Sequence, residues 1–247
     1  MITTPSKSLI PLLLGLLIIT CAQAELRLSV ASNFRIPIEE VAEQLQLKHG
    51  VQCQLSFSSS GKLYAQILHG KPADIFLSAD QVKPKALYNN LIKKKGSLIQ
   101  PPQTYAKGQL FLASRTRFPD WDTAVTTLKS SKYRLALANP KHAPYGAAAQ
   151  QLMQLSGLSN PQILGENVAQ AYHFFHTGAV YYAFISSSQA LNESGNSVYF
   201  TPVPENRAPR IDQDLLVLTP SKESEIFLQF LQTSDYQEIL KKYGYTL

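Results

Sequence analysis

Serine, asparagine and tyrosine stand at four junctions where apolar or turn-bounded segments give way to helical patterns, and the chemistry they suit is anion capture. Ser32-Asn33 follows an apolar run ending at Ala31. Ser58-Ser59-Ser60-Gly61 follows one ending at Phe57, ahead of a helix expected to begin near Lys62. Pro144-Tyr145-Gly146 precedes a stretch rich in Ala, Gln and Leu, and Glu166-Asn167-Val168 precedes another helical pattern. A helix start leaves backbone N–H groups unpaired and carries the positive end of the helix dipole. Hydroxyl and amide groups add neutral donors, so a dehydrated oxyanion can be held with no Lys or Arg opposite it. Each junction alone has a plainer reading, because Ser and Asn are ordinary N-caps. Three serines before a glycine exceed what one cap needs. The pattern by itself reaches as far as an anion-binding, two-lobed protein.

Other residue types point elsewhere. A serine in a strand–turn–helix can be a nucleophile, but Phe57–Gly61 lacks the G-x-S-x-G pattern of a nucleophile elbow. His49, His69, His142, His173 and His176 offer bases with no paired acid legible beside them. His173 and His176, three apart on one helical pattern, could ligate a metal, although a third ligand is not in view. Asp74 and Asp80 flank a strand-like run and could form an acidic pair. A ferric site would draw on clustered tyrosines, and of the 12 tyrosines only Tyr145 stands at one of the four junctions.

The elements that position these junctions alternate. Leu26–Ala31, Val51–Phe57, Ala73–Ala79, Gln109–Ala113, Arg134–Ala138, Val180–Ile185 and Asp214–Leu218 are short, apolar and bounded by turn residues, which predicts strands. Helical patterns fall between several of them. Ile36, Val41, Ala42 and Leu45 share a face ahead of Gly50; further patterns cover 63–68, 147–155, 168–176, 220–231 and 236–243. Such alternation predicts an α/β fold with largely parallel sheets covered on both faces. Breaks at Pro101-Pro102 and around Asn192–Asn196 divide the chain into lobe I, 25–104 plus 193–247, and an inserted lobe II, 105–192.

Met1–Ala24 carries Lys7, an apolar run from Leu9 to Ile19 and the ending Ala22-Gln23-Ala24, the layout of a secretory signal peptide. Its apolar run is too short to span a bilayer. Cleavage is expected after Ala24; processing at Cys21 with lipid attachment is the alternative. Cleavage leaves Cys53 without a disulfide partner, which excludes an internal bridge and suits a small buried side chain. The chain has 23 Lys and Arg against 17 Asp and Glu, a formal charge of +6. Export argues against nucleic acid as the counterpart of that charge. The basic residues are scattered, apart from the helix-end run Lys93-Lys94-Lys95.

The order and spacing of several segments resemble the periplasmic molybdate-binding proteins of ATP-driven uptake systems. The segments are Val30–Phe34, Phe57–Leu63, the stretch Pro72-Ala73-Asp74-Ile75-Phe76-Leu77-Ser78-Ala79-Asp80, Ala138–Gly146, Glu166–Val168 and Lys242–Thr246. The resemblance spans nearly the whole chain after Ala24. It implies a two-lobed periplasmic binding protein fold of type II character, with the ligand in the interlobe cleft. It implies a non-catalytic receptor, without cofactor, that binds molybdate and tungstate through Ser32, Asn33, Ser60, Tyr145 and the backbone N–H of Val168. Some members place a Tyr where this chain has Ser186. Another branch pairs Asn in the first loop with Tyr in the third, as here, so Tyr145 can replace the missing hydroxyl. The implied partner is an inner-membrane ABC permease with its ATPase, and the implied state is a periplasmic monomer. Sulfate or phosphate as ligand, and an exported hydrolase, stand as the alternatives.

Overall fold

Two five-stranded sheets organise the protein, whose computed structural model describes residues 25–95, 99–193 and 197–247. The signal-peptide reading of Met1–Ala24 and the question of Cys21 lie outside these residues. The first sheet contains β1 (Glu25–Ala31), β2 (Gln52–Ser58), β3 (Ile75–Leu77), β4 (Gln103–Gly108) and β10 (Ile211–Val217), in the order β2-β1-β3-β10-β4. The second contains β5 (Leu110–Ser114), β6 (Leu135–Ala138), β7 (Gln162–Gly165), β8 (Tyr182–Ser186) and β9 (Tyr199–Pro202), in the order β7-β6-β8-β5-β9. In each sheet three neighbours run parallel, and one strand, β10 or β5, pairs antiparallel on both sides. That reversed strand is the one in which the chain arrives from the other lobe. The sheets are therefore mixed, and the parallel part is the part whose strand ends feed helices.

Period-two alternation assigns side chains to the two faces of each sheet. Leu110 and Leu112 enter one core with Leu135 and Leu137, while Phe111 and Ala113 enter another with Ala136. In the first lobe Leu26, Leu28 and Val30 pack on Ile38, Val41 and Leu45 of α1 (Arg35–His49). The opposite face buries Phe76 and Leu216 against Leu63 and Leu87, from α2 (Ser60–Leu68) and α3 (Val82–Lys95). The helix α1 ends where Gly50 adopts φ 68°, a left-handed value open to glycine at little cost, and its N–H returns to the carbonyls of Leu45 and Gln46. Cys53 is half-buried beside this core, and burial pushes its thiol up to about 11.

Strand pairing moves the points where the chain changes lobe. β4 stays in the first sheet to Gly108, and β9 still pairs with β5 in the second. The exchanges thus occur after Gly108 and between Pro202 and Ile211, not at 104/105 and 192/193. Turn residues at Pro101-Pro102 and Asn192 mark loop ends, which need not be lobe boundaries. The remaining helices are α4 (Trp121–Ser130), α5 (Pro144–Ser156), α6 (Val168–His176), α7 (Ser187–Asn192), α8 (Lys222–Phe230) and α9 (Ser234–Lys242). β4, β7, β9, α3, α4 and α7 are not among the element ranges expected from the sequence, although α4 buries Trp121, Ala124 and Leu128 on one face.

The paired strand starts of lobe I are tied by Asp74. Its carboxylate accepts from the Arg27 backbone N at 2.9 Å, Nε at 2.9 Å and Nη2 at 2.8 Å. Hydrogen bonding to the Arg27 side chain holds the Asp74 carboxyl below its usual range, against the opposing effect of burial. A group depressed in the folded state stabilises above its unfolded pKa, near 3.9 for Asp, and loses that contribution as pH falls through the folded value. Asp74→Asn is accordingly expected to lower the melting temperature at pH 7. The gap to wild type should shrink below about pH 4. Thermal melts at neutral and acid pH check this, and a gap unchanged in acid would contradict it.

Candidate ligand-binding site

Four parallel strands end at the cleft between the lobes, and each delivers a helix start to the same place. β1 runs into a 3-10 turn, Ser32–Phe34, and then α1; β2 runs into α2 with Ser59 as its N-cap. From the other lobe, β6 leads through a short loop to α5, and β7 leads to α6 with Asn167 as its cap. Ser32, Asn33, Ser60, Tyr145 and Val168 line one small cavity there, with Ser59 beside them and Ala31, Ala79, Ala143 and Pro144 as walls. The empty space is about 180 Å³. Among the described residues no charged side chain lines it.

Local boundaries explain the placement. α5 begins at Pro144 rather than at Ala147, because proline's fixed φ and missing N–H fit the first helical position. Tyr145 and Gly146 therefore belong to the first turn, where their N–H groups have no partner within the helix. α2 likewise begins at Ser60, two residues earlier than expected. Val168 opens α6, and the Asn167 side chain accepts from Gln170 N, leaving the Val168 N–H out of the cap bond.

The five residues offer different groups. Ser60 Oγ is fully buried and accepts the Ala79 N–H at 2.9 Å, which leaves its own proton to donate. The Ser78-Ala79-Asp80 stretch thus orients Ser60, while Asp80 caps α3 through Lys83 N at 2.8 Å. The resemblance leaves Asn33 either its backbone or its side chain as the contacting group, and the side chain is already engaged. Its Nδ2 donates to Gln213 Oε1 at 2.8 Å and to Tyr245 Oη at 3.3 Å, which leaves its backbone N–H as the group not engaged by these bonds. Tyr145 is buried, and its hydroxyl has no hydrogen-bond partner of ordinary geometry. It nevertheless stands close to Gln213 and Tyr245, and fills the space where a side chain at Gly108 would begin. Burial pushes the Tyr145 phenol well above its ordinary range, so it remains a proton donor.

Ser186, the position where some relatives carry Tyr, does not line the cavity. It closes β8 and caps α7, with its Oγ at 3.0 Å from Gln189 Oε1 and 3.1 Å from Ser188 Oγ. The next residues along do reach across the cleft. Ser188 Oγ donates to Asn33 O at 2.7 Å, Gly61 N donates to His142 O at 2.9 Å, and Lys62 pairs with Glu166 at 2.8 Å. These three contacts join the lobes around the cavity in a closed arrangement.

His173 and His176 face a separate, larger cleft of about 820 Å³ beyond Ser32, shared with Arg35, Tyr172 and Glu193. His176 Nδ1 lies 3.6 Å from Glu193 Oε2, and the Tyr172 hydroxyl bonds the same carboxylate. Among the described residues no group of three His, Cys, Asp or Glu is arranged to hold a metal ion. The larger volume is the less informative one here, because the helix starts converge on the small cavity.

Residues 26–246 match the family model for bacterial extracellular solute-binding proteins. The chain belongs to that family. It is a solute-binding protein and not an enzyme, which sets aside the hydrolase reading. Among its relatives, the molybdate-binding protein ModA of Rhodobacter capsulatus is 35% identical over 238 residues, covering 93% of this chain and 91% of that one. The molybdate-binding protein ModA of Azotobacter vinelandii is 33% identical over 253 residues, covering 98% of each. The solved structure of the Azotobacter vinelandii periplasmic molybdate-binding protein superposes with a TM-score of 0.78 at 27% identity, over 90% of this chain and 99% of that one. The sulfate-binding protein SubI from Mycobacterium tuberculosis shares the fold at a TM-score of 0.67 and 15% identity, covering 90% and 86%.

Sequence reasoning passed over Ser59, Ser188, Gln213 and Tyr245. Ser59 was visible inside the serine run and Tyr245 inside the Lys242–Thr246 segment; Ser188 and Gln213 carry no local signal. Because no ionisable carboxylate, amine or imidazole lines the cavity, and its tyrosine is held protonated, anion affinity should vary by less than about twofold between about pH 7 and 9. Calorimetric titrations at constant ionic strength check this; a steep fall across that range would place a titrating group in the site.

Proposed function

We propose that this solute-binding protein captures molybdate, and tungstate with it, and delivers the ion to an ABC-type permease with its ATPase. The observation that carries the reading is the convergence of four helix starts and several neutral hydroxyls on one small cavity free of charged side chains. Its relatives at 33–35% identity are molybdate-binding proteins. In this reading Ser32, Asn33 and Val168 give backbone N–H groups, Ser60 gives hydroxyl and N–H, and Tyr145 gives its phenol. The protein acts in the periplasm after cleavage behind Ala24, as a monomer that presents both lobes to one permease.

The mechanism follows from where the donors sit. Lobe I contributes Ser32, Asn33 and Ser60; lobe II contributes Tyr145 and Val168. An ion bound to one lobe alone has half its oxygens in water, so hinge closure over it gains the remaining hydrogen bonds. Closure also forms the Gly61–His142 and Lys62–Glu166 contacts at the rim. Sulfate is the smaller tetrahedral dianion and would leave those donors at longer reach. Hydrogen phosphate brings a proton that needs an acceptor, and the Ser60 oxygen already accepts from Ala79.

Titration of the ligand-free protein with molybdate, tungstate, sulfate and phosphate tests this. One-to-one binding of the first two, far tighter than of the others, is the expected result; preference for sulfate or phosphate would keep the site and overturn the ligand. Ser60→Ala should weaken molybdate binding by about 1–3 kcal/mol, and an unchanged affinity would remove Ser60 from the site. A Cβ at Gly61 would lie 2.9 Å from His142 O and 3.1 Å from His142 Cα, forcing the lobes apart. Gly61→Ala is therefore expected to weaken molybdate binding by about 1–3 kcal/mol. Small-angle scattering should show a more open liganded state; wild-type affinity in that variant would mean that closure tolerates the added methyl.

A further inference from the structure

We infer that Ser59, outside the five-residue set above, is a further ligand-binding residue whose hydroxyl donates to the captured oxyanion. The inference rests on the oxyanion reading of this cavity, though not on which oxyanion fills it. Ser59 is the N-cap of α2, with φ −72° and ψ 150°, a conformation in which a serine ordinarily accepts a hydrogen bond from the first turn. That bond is absent at Ser59. Elsewhere in the chain Asp120, Asn167, Ser221 and Thr233 all make it, to Thr123, Gln170, Ser224 and Tyr236.

The Ser59 hydroxyl is also not spent on solvent or on a neighbour. The residue is 2% exposed, and its Oγ has no hydrogen-bond partner. A buried hydroxyl left unpaired is costly, and its persistence calls for a partner outside the chain. Ser59 lines the same cavity as Ser60 and Tyr145. Ser60 is pinned by the Ala79 N–H, whereas the Ser59 oxygen is held by nothing and can turn its proton into the cavity. Two adjacent serines on one helix start can then meet two oxygens of a tetrahedral anion, one from a fixed hydroxyl and one from an adaptable one.

Ser59→Ala separates this role from capping. The expected result is a molybdate dissociation constant raised about tenfold, with a melting temperature of the unliganded protein equal to or above wild type, because an unpaired hydroxyl has been removed. Unchanged affinity overturns the inference. So does a lowered unliganded melting temperature, with or without weaker binding, since the hydroxyl would then serve the fold. Wild-type protein is titrated first with molybdate, tungstate, sulfate and phosphate. If it prefers sulfate, the same comparison is made with sulfate and the Ser59 inference is judged on that ion. If it binds none of the four, the oxyanion reading itself fails and the inference falls with it.

Discussion

An α-helix cannot pair its own first N–H groups, and in this protein four helix beginnings are aimed at one another across a gap between two lobes. Everything else in the architecture serves that alignment. The parallel strands β1, β2, β6 and β7 all point their carboxyl ends at the cleft, and a strand followed directly by a helix places the unpaired donors at that end. Positive dipole ends that would repel one another in an empty gap become compatible when an anion sits between them. The cavity needs no Lys or Arg for this, so its field is made by fixed backbone geometry and does not depend on mobile charged side chains.

Fixed geometry in turn needs support behind the cavity. Asn33 turns its amide to Gln213, which also accepts from Tyr105 at 3.0 Å, and its carbonyl accepts from Tyr245 at 2.8 Å and Ser188 at 2.7 Å. These residues come from β10, β4, the chain end and α7, so the first helix start is gripped by both lobes. Phe34 packs edge-on against Tyr105 and Tyr245 beneath it, with ring centroids 4.9 and 5.1 Å apart. Burial holds the phenols of Tyr105 and Tyr245 above their ordinary range, which keeps the network neutral. Glycines at Gly61 and Gly108 let the lobes approach, each being a point where a Cβ would strike the facing lobe.

Much of this was legible in the amino-acid order. Strand and helix alternation, the α/β class, the serine run and the bounds of α6 all follow from local periodicity and turn residues. Because helix starts are local events, the four junctions could be picked out one by one, while the individual residues Ser32, Ser60, Tyr145 and Val168 came from the family resemblance. Local signals failed where an element is held by its neighbours instead of by its own apolar run. β4 reads Gln-Thr-Tyr-Ala-Lys-Gly and is a strand because β10 pairs with it, and that pairing moved the lobe boundary to Gly108.

The sequence by itself located the four strand-to-helix junctions to within one helical turn, showed that Ser, Asn and Tyr stand at them, and showed which family the chain resembles. Those properties depend on residues a few positions apart. Only the tertiary structure decided that the four starts share one cavity, that the Asn33 side chain is spent on Gln213, and that the Ser59 hydroxyl is left without a partner. Each of these depends on which hydrogen-bonding groups meet across up to two hundred positions of chain. A local pattern offers a donor; the folded neighbours determine whether that donor is already taken.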